Sequence, residues 1–151
     1  MKKEGAIGLI LIAIVVVIAV VFLRPKGLDA ALGNGFTPDQ VTQITAQVTE
    51  RMENQPDVTV TISAEDEAFP RMLALLQEPS YSLTFTKEED AYLGAVVSIT
   101  ITGDQGQNWS YNFHGGKLIQ SGAAGKMKTY QISGGQATQQ GILDFLLEQA
   151  G

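Results

Sequence analysis

Apolar and polar positions along this chain fall into three regimes. Residues 6–23 form one unbroken apolar run, AIGLILIAIVVVIAVVFL, framed by Lys2-Lys3 and by Arg24-Pro25-Lys26. Residues 36–79 carry short stretches of helical and strand period. From Tyr81 onward the period is two, until Ser133-Gly134-Gly135 introduces a last helical stripe.

The first regime has the dimensions of a membrane span. Its eighteen residues at ~1.5 Å rise make a helix of ~27 Å, close to the ~30 Å hydrocarbon core of a bilayer. Fourteen of them are Ile, Leu, Val or Phe, which favours insertion by roughly 4 to 8 kcal/mol with no internal charge to oppose it. A cleaved signal peptide, leaving a secreted domain, is the alternative. Its apolar region should be only ~7–15 residues long. Here Arg24 and Lys26 follow the run directly, and Asp29 occupies the −3 position before the small pair Ala30-Ala31. A lipoprotein is excluded, because the chain has no cysteine to carry the lipid.

The reading is therefore a signal anchor with residues 1–5 as a short cytoplasmic tail, residues 6–23 as a transmembrane helix and residues 24–35 as a flexible linker. Residues 36–151 form the extracytoplasmic domain. The flanking basic charges balance, so orientation rests on the short tail, which places the N-terminus in the cytoplasm. The localisation expected is a single-pass cell-membrane protein.

In the second regime, Thr37 as N-cap, Pro38 at the first helical position and Gln40 closing a capping box announce a helix, with Phe36 stapled onto Val41. Val41, Ile44, Val48 and Met52 supply its apolar stripe, and it stops before Pro56. Val58, Val60 and Ile62 alternate with Thr59, Thr61 and Ser63, which predicts a half-buried strand. A helix with Phe69, Met72, Leu73 and Leu76 on one face follows, with Pro70 in its first turn and Pro79 closing it.

The third regime predicts strands around Tyr81–Phe85, Leu93–Ile101, Trp109–Phe113, 117–120 and 127–132. The turns between them are Lys87-Glu88-Glu89-Asp90, Gly103-Asp104-Gln105-Gly106, Gly115-Gly116 and Gly122-Ala123-Ala124-Gly125. Ile142, Leu143, Leu146, Leu147 and Ala150 stripe a C-terminal helix. The fold class is α+β: after the N-terminal transmembrane helix, a two-layer domain with an antiparallel meander sheet, one face covered by about three helices.

Charge narrows the partners. Residues 27–151 hold six Lys/Arg against fifteen Asp/Glu, a net of −9, while residues 1–26 hold four against one, a net of +3. Such a domain repels nucleic acid, and no basic patch with interleaved aromatics reverses that. It also stands off from an anionic membrane surface.

Candidate chemistry is sparse. No Cys and one His leave no zinc spacing, Gly-x-Ser-x-Gly is absent, and His114 has no assignable partner in sequence. Gly122-Ala123-Ala124-Gly125-Lys126-Met127 lacks the leading Gly and the Ser/Thr of a phosphate-binding loop and reads as a turn. The acidic clusters Glu65-Asp66-Glu67 and Glu88-Glu89-Asp90 lack the ligand alternation of a calcium loop. Asn108-Trp109-Ser110 is a glycosylation sequon that matters only in a eukaryotic secretory route. No cofactor and no catalytic or metal-ligating residue is assigned.

The aromatics Tyr81, Phe85, Trp109, Tyr111 and Phe113 are in phase with the aliphatic face and read as core. The opposite face is flat, uncharged and rich in hydrogen-bonding groups. It carries the candidate binding residues Thr84, Thr86, Ser98, Thr100, Asn108, Ser110, Asn112 and His114, together with Ser82 and Thr102.

The anchor, the Gly/Pro spacer and the stretch ISAEDEAFPRMLALLQEPSYSLTF together resemble small, uncharacterised single-pass envelope proteins of Gram-positive gut bacteria. The resemblance covers the anchor and the middle of the domain. It implies a bacterial extracytoplasmic setting and brings no site residues. The function expected is a non-enzymatic, membrane-anchored binding domain, with the bilayer as one partner through residues 6–23 and an envelope protein or cell-wall component as the other. An envelope hydrolase using a carboxylate pair, Glu65 with Asp104 or Glu89, is the reading from a different class.

Overall fold

The structure, a computed structural model, describes residues 2–33, 35–49, 51, 54–85, 92–115, 117–123 and 125–151. It is α+β, with a seven-stranded sheet in which every pairing is antiparallel. The helices are α1 (Lys2–Leu23), α2 (Leu28–Leu32), α3 (Phe69–Gln77) and α4 (Gln136–Ala150). The strands are β1 (Val41–Thr49), β2 (Val58–Ser63), β3 (Tyr81–Leu83), β4 (Tyr92–Gly103), β5 (Asn108–Gly115), β6 (Leu118–Ala123) and β7 (Lys128–Ile132). Their order across the sheet is β2-β1-β4-β5-β6-β7-β3.

The meander from β4 to β7 follows the alternation in the sequence. Val97, Ile99, Ile101, Trp109, Tyr111, Phe113, Ile119 and Tyr130 are buried on one face. Three helices pack against that face. Ile142, Leu143 and Leu146 of α4 and Met72 and Leu76 of α3 are buried there, as are Leu28, Ala31 and Leu32 of α2.

The stretch expected as a helix after Thr37 is instead strand β1, preceded by a single 3-10 turn at Pro38–Gln40. Thr37 has an extended backbone and makes no side-chain cap. The spacing of Val41, Ile44 and Val48 fits a helix, but a β-bulge between Val41 and Gln43 shifts the phase so that Val41, Ile44, Ala46 and Val48 all face the core of a strand. Six of the nine residues, Val41, Thr42, Ile44, Thr45, Val48 and Thr49, are β-branched, which favours the pleated sheet over the helix. With no helix there for Phe36 to staple, its ring packs edge-on against Trp109 at 5.1 Å between ring centroids.

The expected flexible linker is also corrected. Within residues 24–35, α2 buries Leu28 and Leu32 in the same core. Two carbonyls at its C-terminal end serve core side chains: Ser121 Oγ donates to Ala31 O at 3.0 Å, and Trp109 Nε1 donates to Gly33 O at 3.2 Å. A five-residue helix between glycines shows too little periodicity to be read from sequence. Upstream of it, Lys26 forms a β-bridge with Tyr81, each backbone N–H donating to the other's carbonyl at 2.8 Å.

β3 does not pair with β4 through a hairpin. Both edges of β4 are occupied, by β1 and β5, so β3 closes the far edge of the sheet against β7. The turn expected at Lys87–Asp90 lies outside the described residues. Phe85, expected in the core, is 88% exposed because it falls beyond the end of β3.

Around β3 the core is polar in one place. Tyr111 and Tyr81 share a hydrogen bond of 3.0 Å between their hydroxyls, and Tyr81 Oη donates to Leu76 O in the last turn of α3. That carbonyl is one of those a helix C-terminus leaves without an internal partner. Burial pushes both phenols well above their ordinary pKa, as ionisation there would place a charge in the core.

α1 runs for 22 residues, and its described large apolar side chains are exposed on all sides, from 49% at Ile14 to 70% at Leu9. Among the described residues no helix is long and apolar enough to cross a membrane.

Candidate functional site

The open face of the sheet is built by the residues that alternate with the core. Because the strands are in register, these residues line up in rows perpendicular to the strands. One row runs Thr59, Gln47, Ser98, Asn112, Gln120 and Thr129, on β2, β1, β4, β5, β6 and β7. Thr84 extends it past β3, its N–H donating to Thr129 O at 3.0 Å. The row therefore crosses six strands and continues just past the end of the seventh, a width of ~29 Å at ~4.8 Å per strand. A second row holds Thr61, Thr45, Thr100 and Ser110, and a third Ser63, Gln43, Thr102 and Asn108.

No residue in these rows is charged. Their side chains are half-buried or exposed, and several hydrogen-bond to one another within the face. Thr102 Oγ1 donates to Asn108 Oδ1 at 3.1 Å, Gln43 Nε2 donates to Thr45 Oγ1 at 3.0 Å, and Thr42 Oγ1 donates to Thr102 O at 3.2 Å. Hydroxyls and carboxamides can each donate and accept, so the surface is suited to a neutral ligand with many polar groups.

Of the candidate residues, Ser98, Thr100, Asn108, Ser110 and Asn112 lie together in these rows. His114, half-buried, is two residues beyond Asn112 on the same face of β5. Thr84 stands at the β3 end, and Thr86 lies outside the described residues. Sequence reasoning missed Gln43, Thr45 and Gln47, because β1 was read as a helix. The density of β-branched residues in VTQITAQVT was the signal that could have found them.

The carboxylates of the hydrolase reading are placed differently. Glu65 lies in the turn after β2 and Asp104 in the turn after β4, both exposed. Neither lines any of the three described cavities, and Glu89 lies outside the described residues. Among the described residues no group of three or more acidic or His side chains is placed to hold a metal ion. In the Glu65–Glu67 cluster, the Asp66 carboxylate accepts the Ser63 N–H at 2.8 Å and so ends the strand. Between β6 and β7 the chain turns, with Lys126 N–H donating to Ala123 O at 2.9 Å and positive φ at Gly122 and Gly125. At Gly122 a Cβ would lie 2.6 Å from Lys126 O, so only glycine fits that close approach.

Two of the cavities bear on surface chemistry. One of about 570 Å³ opens at the start of α4 and is lined by Ser80, Ser82, Lys117, Ser133 and Gln136 among others. A smaller one of about 190 Å³ lies between α2 and the β6–β7 hairpin and includes Lys126 and Lys128. No protein-family model, no curated protein and no solved structure matches the chain.

Proposed function

We propose that this chain is a non-enzymatic binding module, held at the outer face of a cytoplasmic membrane by α1, that presents the open face of its sheet to an uncharged, hydrogen-bonding component of the envelope. The observation that carries the binding reading is the uncharged row from Thr59 to Thr84 across the whole sheet. A water-facing sheet surface of that width ordinarily mixes in charged residues, which keep proteins soluble and apart.

Support for the anchor comes from two sides. In the sequence the apolar run of residues 6–23 would make ~27 Å of helix, close to the thickness of a bilayer's hydrocarbon core. The described side chains of α1 are apolar around the whole helix and take no part in the core, which is the pattern of a helix solvated by lipid.

The test places a photo-crosslinking side chain at Asn112, and as a control at Glu148 on α4, in the full-length protein in native membranes. The expected result is a reproducible adduct from position 112 that is absent from position 148. In the same background Ser98→Ala should cut its yield roughly fivefold, the loss of one hydrogen bond, while changing stability by less than ~1 kcal/mol, since the half-buried hydroxyl lies on the open face outside the core. No adduct from position 112 in any growth condition would count decisively against the binding face.

A further inference from the structure

The domain carries a strong net negative charge, but two of its lysines stand together away from the acidic turns. Described acids Asp39, Glu65, Asp66, Glu67 and Asp104 sit in the turns around β1, β2 and β4. Lys126, in the β6–β7 turn, and Lys128, on the strand next to β3, sit toward the other edge of the sheet, at the same strand ends as those turns but displaced across its width. Across the strand order β2 and β3 are the two edges, ~29 Å apart at ~4.8 Å per strand.

The basic side is also the anchored side. Only Arg24 and Pro25 separate the end of α1 from Lys26, which is bridged to Tyr81, so Lys26 lies at most ~11 Å from the last residue of α1. The bridge is antiparallel, and therefore the chain upstream of Lys26 runs along β3 toward Leu83 and Phe85. α1 and β3 are in contact, as this direction requires. The Phe85 end of β3 thus faces the anchor.

At that end the register brings an apolar and a basic group side by side. Leu83 pairs with Tyr130 and the Thr84 N–H reaches Thr129 O, so the next position sets Phe85 opposite Lys128. Phe85 is 88% exposed and Met127, the neighbour of Lys128, is 37% exposed. Lys126 and Lys128 are exposed and form no ion pair among the described residues, where the one ion pair is Arg71 with Glu78. The crevice they line against α2 contains no acidic residue, although Asp29 stands on the exposed side of that helix.

We propose that this patch, Phe85 and Met127 with Lys126 and Lys128, rests on the anionic headgroup surface of the bilayer in which α1 is inserted. The inference builds on the membrane reading above and adds a defined posture: the β3–β7 edge lies against the lipid, and the acidic β2 edge points away. An aromatic ring beside lysines is the composition that settles at a headgroup boundary, the ring entering the acyl edge and the ammonium groups meeting phosphate. Net charge conceals this arrangement, since the domain as a whole would stand off from such a surface.

The experiment uses the full-length chain reconstituted into two sets of vesicles, one of phosphatidylcholine alone and one containing phosphatidylglycerol. Phe85→Trp provides a reporter, read as the difference from the wild-type chain, whose Trp109 is buried. In anionic vesicles the reporter emission should shift to the blue and be quenched by headgroup-labelled lipid. The double change Lys126→Glu with Lys128→Glu should weaken the lipid contact by roughly fivefold per lysine, about 25-fold together, and so reduce the quenched fraction, and salt should do the same. Emission as in water in both vesicle types, from protein that floats with them, would overturn the posture and leave the anchor standing. Protein that floats with neither vesicle would overturn the anchor and the posture together.

Discussion

A chain beginning at Arg24 will fold and a chain beginning at Phe36 will not. The difference between them is residues 24–35, and with them Leu28, Ala31 and Leu32, each at most 2% exposed. Removing two fully buried leucines costs about 4 to 10 kcal/mol, against a total domain stability of about 5 to 15 kcal/mol. The loss goes beyond the leucines. Ser121 Oγ and Trp109 Nε1 would lose their acceptors at Ala31 and Gly33, leaving two donors unsatisfied in the core. Urea titration followed by circular dichroism should show one cooperative transition for the longer chain and no native baseline for the shorter. In the full domain, Leu32→Ala should cost about 2 to 5 kcal/mol. Equal denaturation midpoints for the two truncated chains would show that residues 24–35 are a spacer after all.

The second large effect is alkaline unfolding. Tyr81 and Tyr111 are both held neutral by burial, with pKa values raised above the ordinary range. An acidic group raised in this way contributes stability that is fully present below the unfolded pKa of ~10 and is lost as pH rises past it. In the unfolded chain each phenol ionises freely, so at about pH 11.5 each withdraws roughly 2 kcal/mol, or about 4 kcal/mol together. Stability should be level from neutrality to about pH 9 and then fall steeply. Tyrosinate absorbance should appear only with loss of the circular dichroism signal. Tyr111→Phe removes one of the two groups and one hydrogen bond, so its curve should begin lower by about 1 kcal/mol and fall less steeply by one proton. Lysine deprotonation affects both chains alike and cancels in the comparison. Tyrosinate absorbance rising ahead of unfolding would show that the phenols are accessible in the fold.

What the sequence made legible follows the locality of the interactions. The strands from β4 to β7 were plain in the alternation, because Val97, Ile99, Ile101, Trp109, Tyr111 and Phe113 sit in register on one buried face. α3 and α4 declared themselves by helical stripes. β1 did not, since its bulge breaks the period of two near Val41 and leaves a spacing that a helix also satisfies. α2 was too short to show a period and takes its stability from the core it enters, not from its own propensity. The place of β3 depends on a pairing with β7, some fifty residues away in the chain, and no local signal encodes such a choice. The number of covering helices came out as expected while their membership did not, for α2 stands where a helix at residues 38–55 was expected.

The binding face was legible for the same reason as the meander. Ser98, Thr100, Asn108, Ser110 and Asn112 alternate with core residues on two adjacent strands. Its extent was not, because its width depends on strand order. The sorting of charge was hidden as well. A sum over residues records the excess of acids but not that Lys128 folds opposite Phe85 while Asp66 and Asp104 lie several strands away across the sheet.

Fractionation of cells producing the full-length chain tests the account most directly. After gentle lysis without detergent and a wash in concentrated salt, the account predicts that the intact polypeptide, its N-terminus verified by mass, sediments and floats with membranes and is released only by detergent. The same polypeptide found free in the soluble fraction, uncleaved, would contradict the anchor on which the binding face and its posture depend.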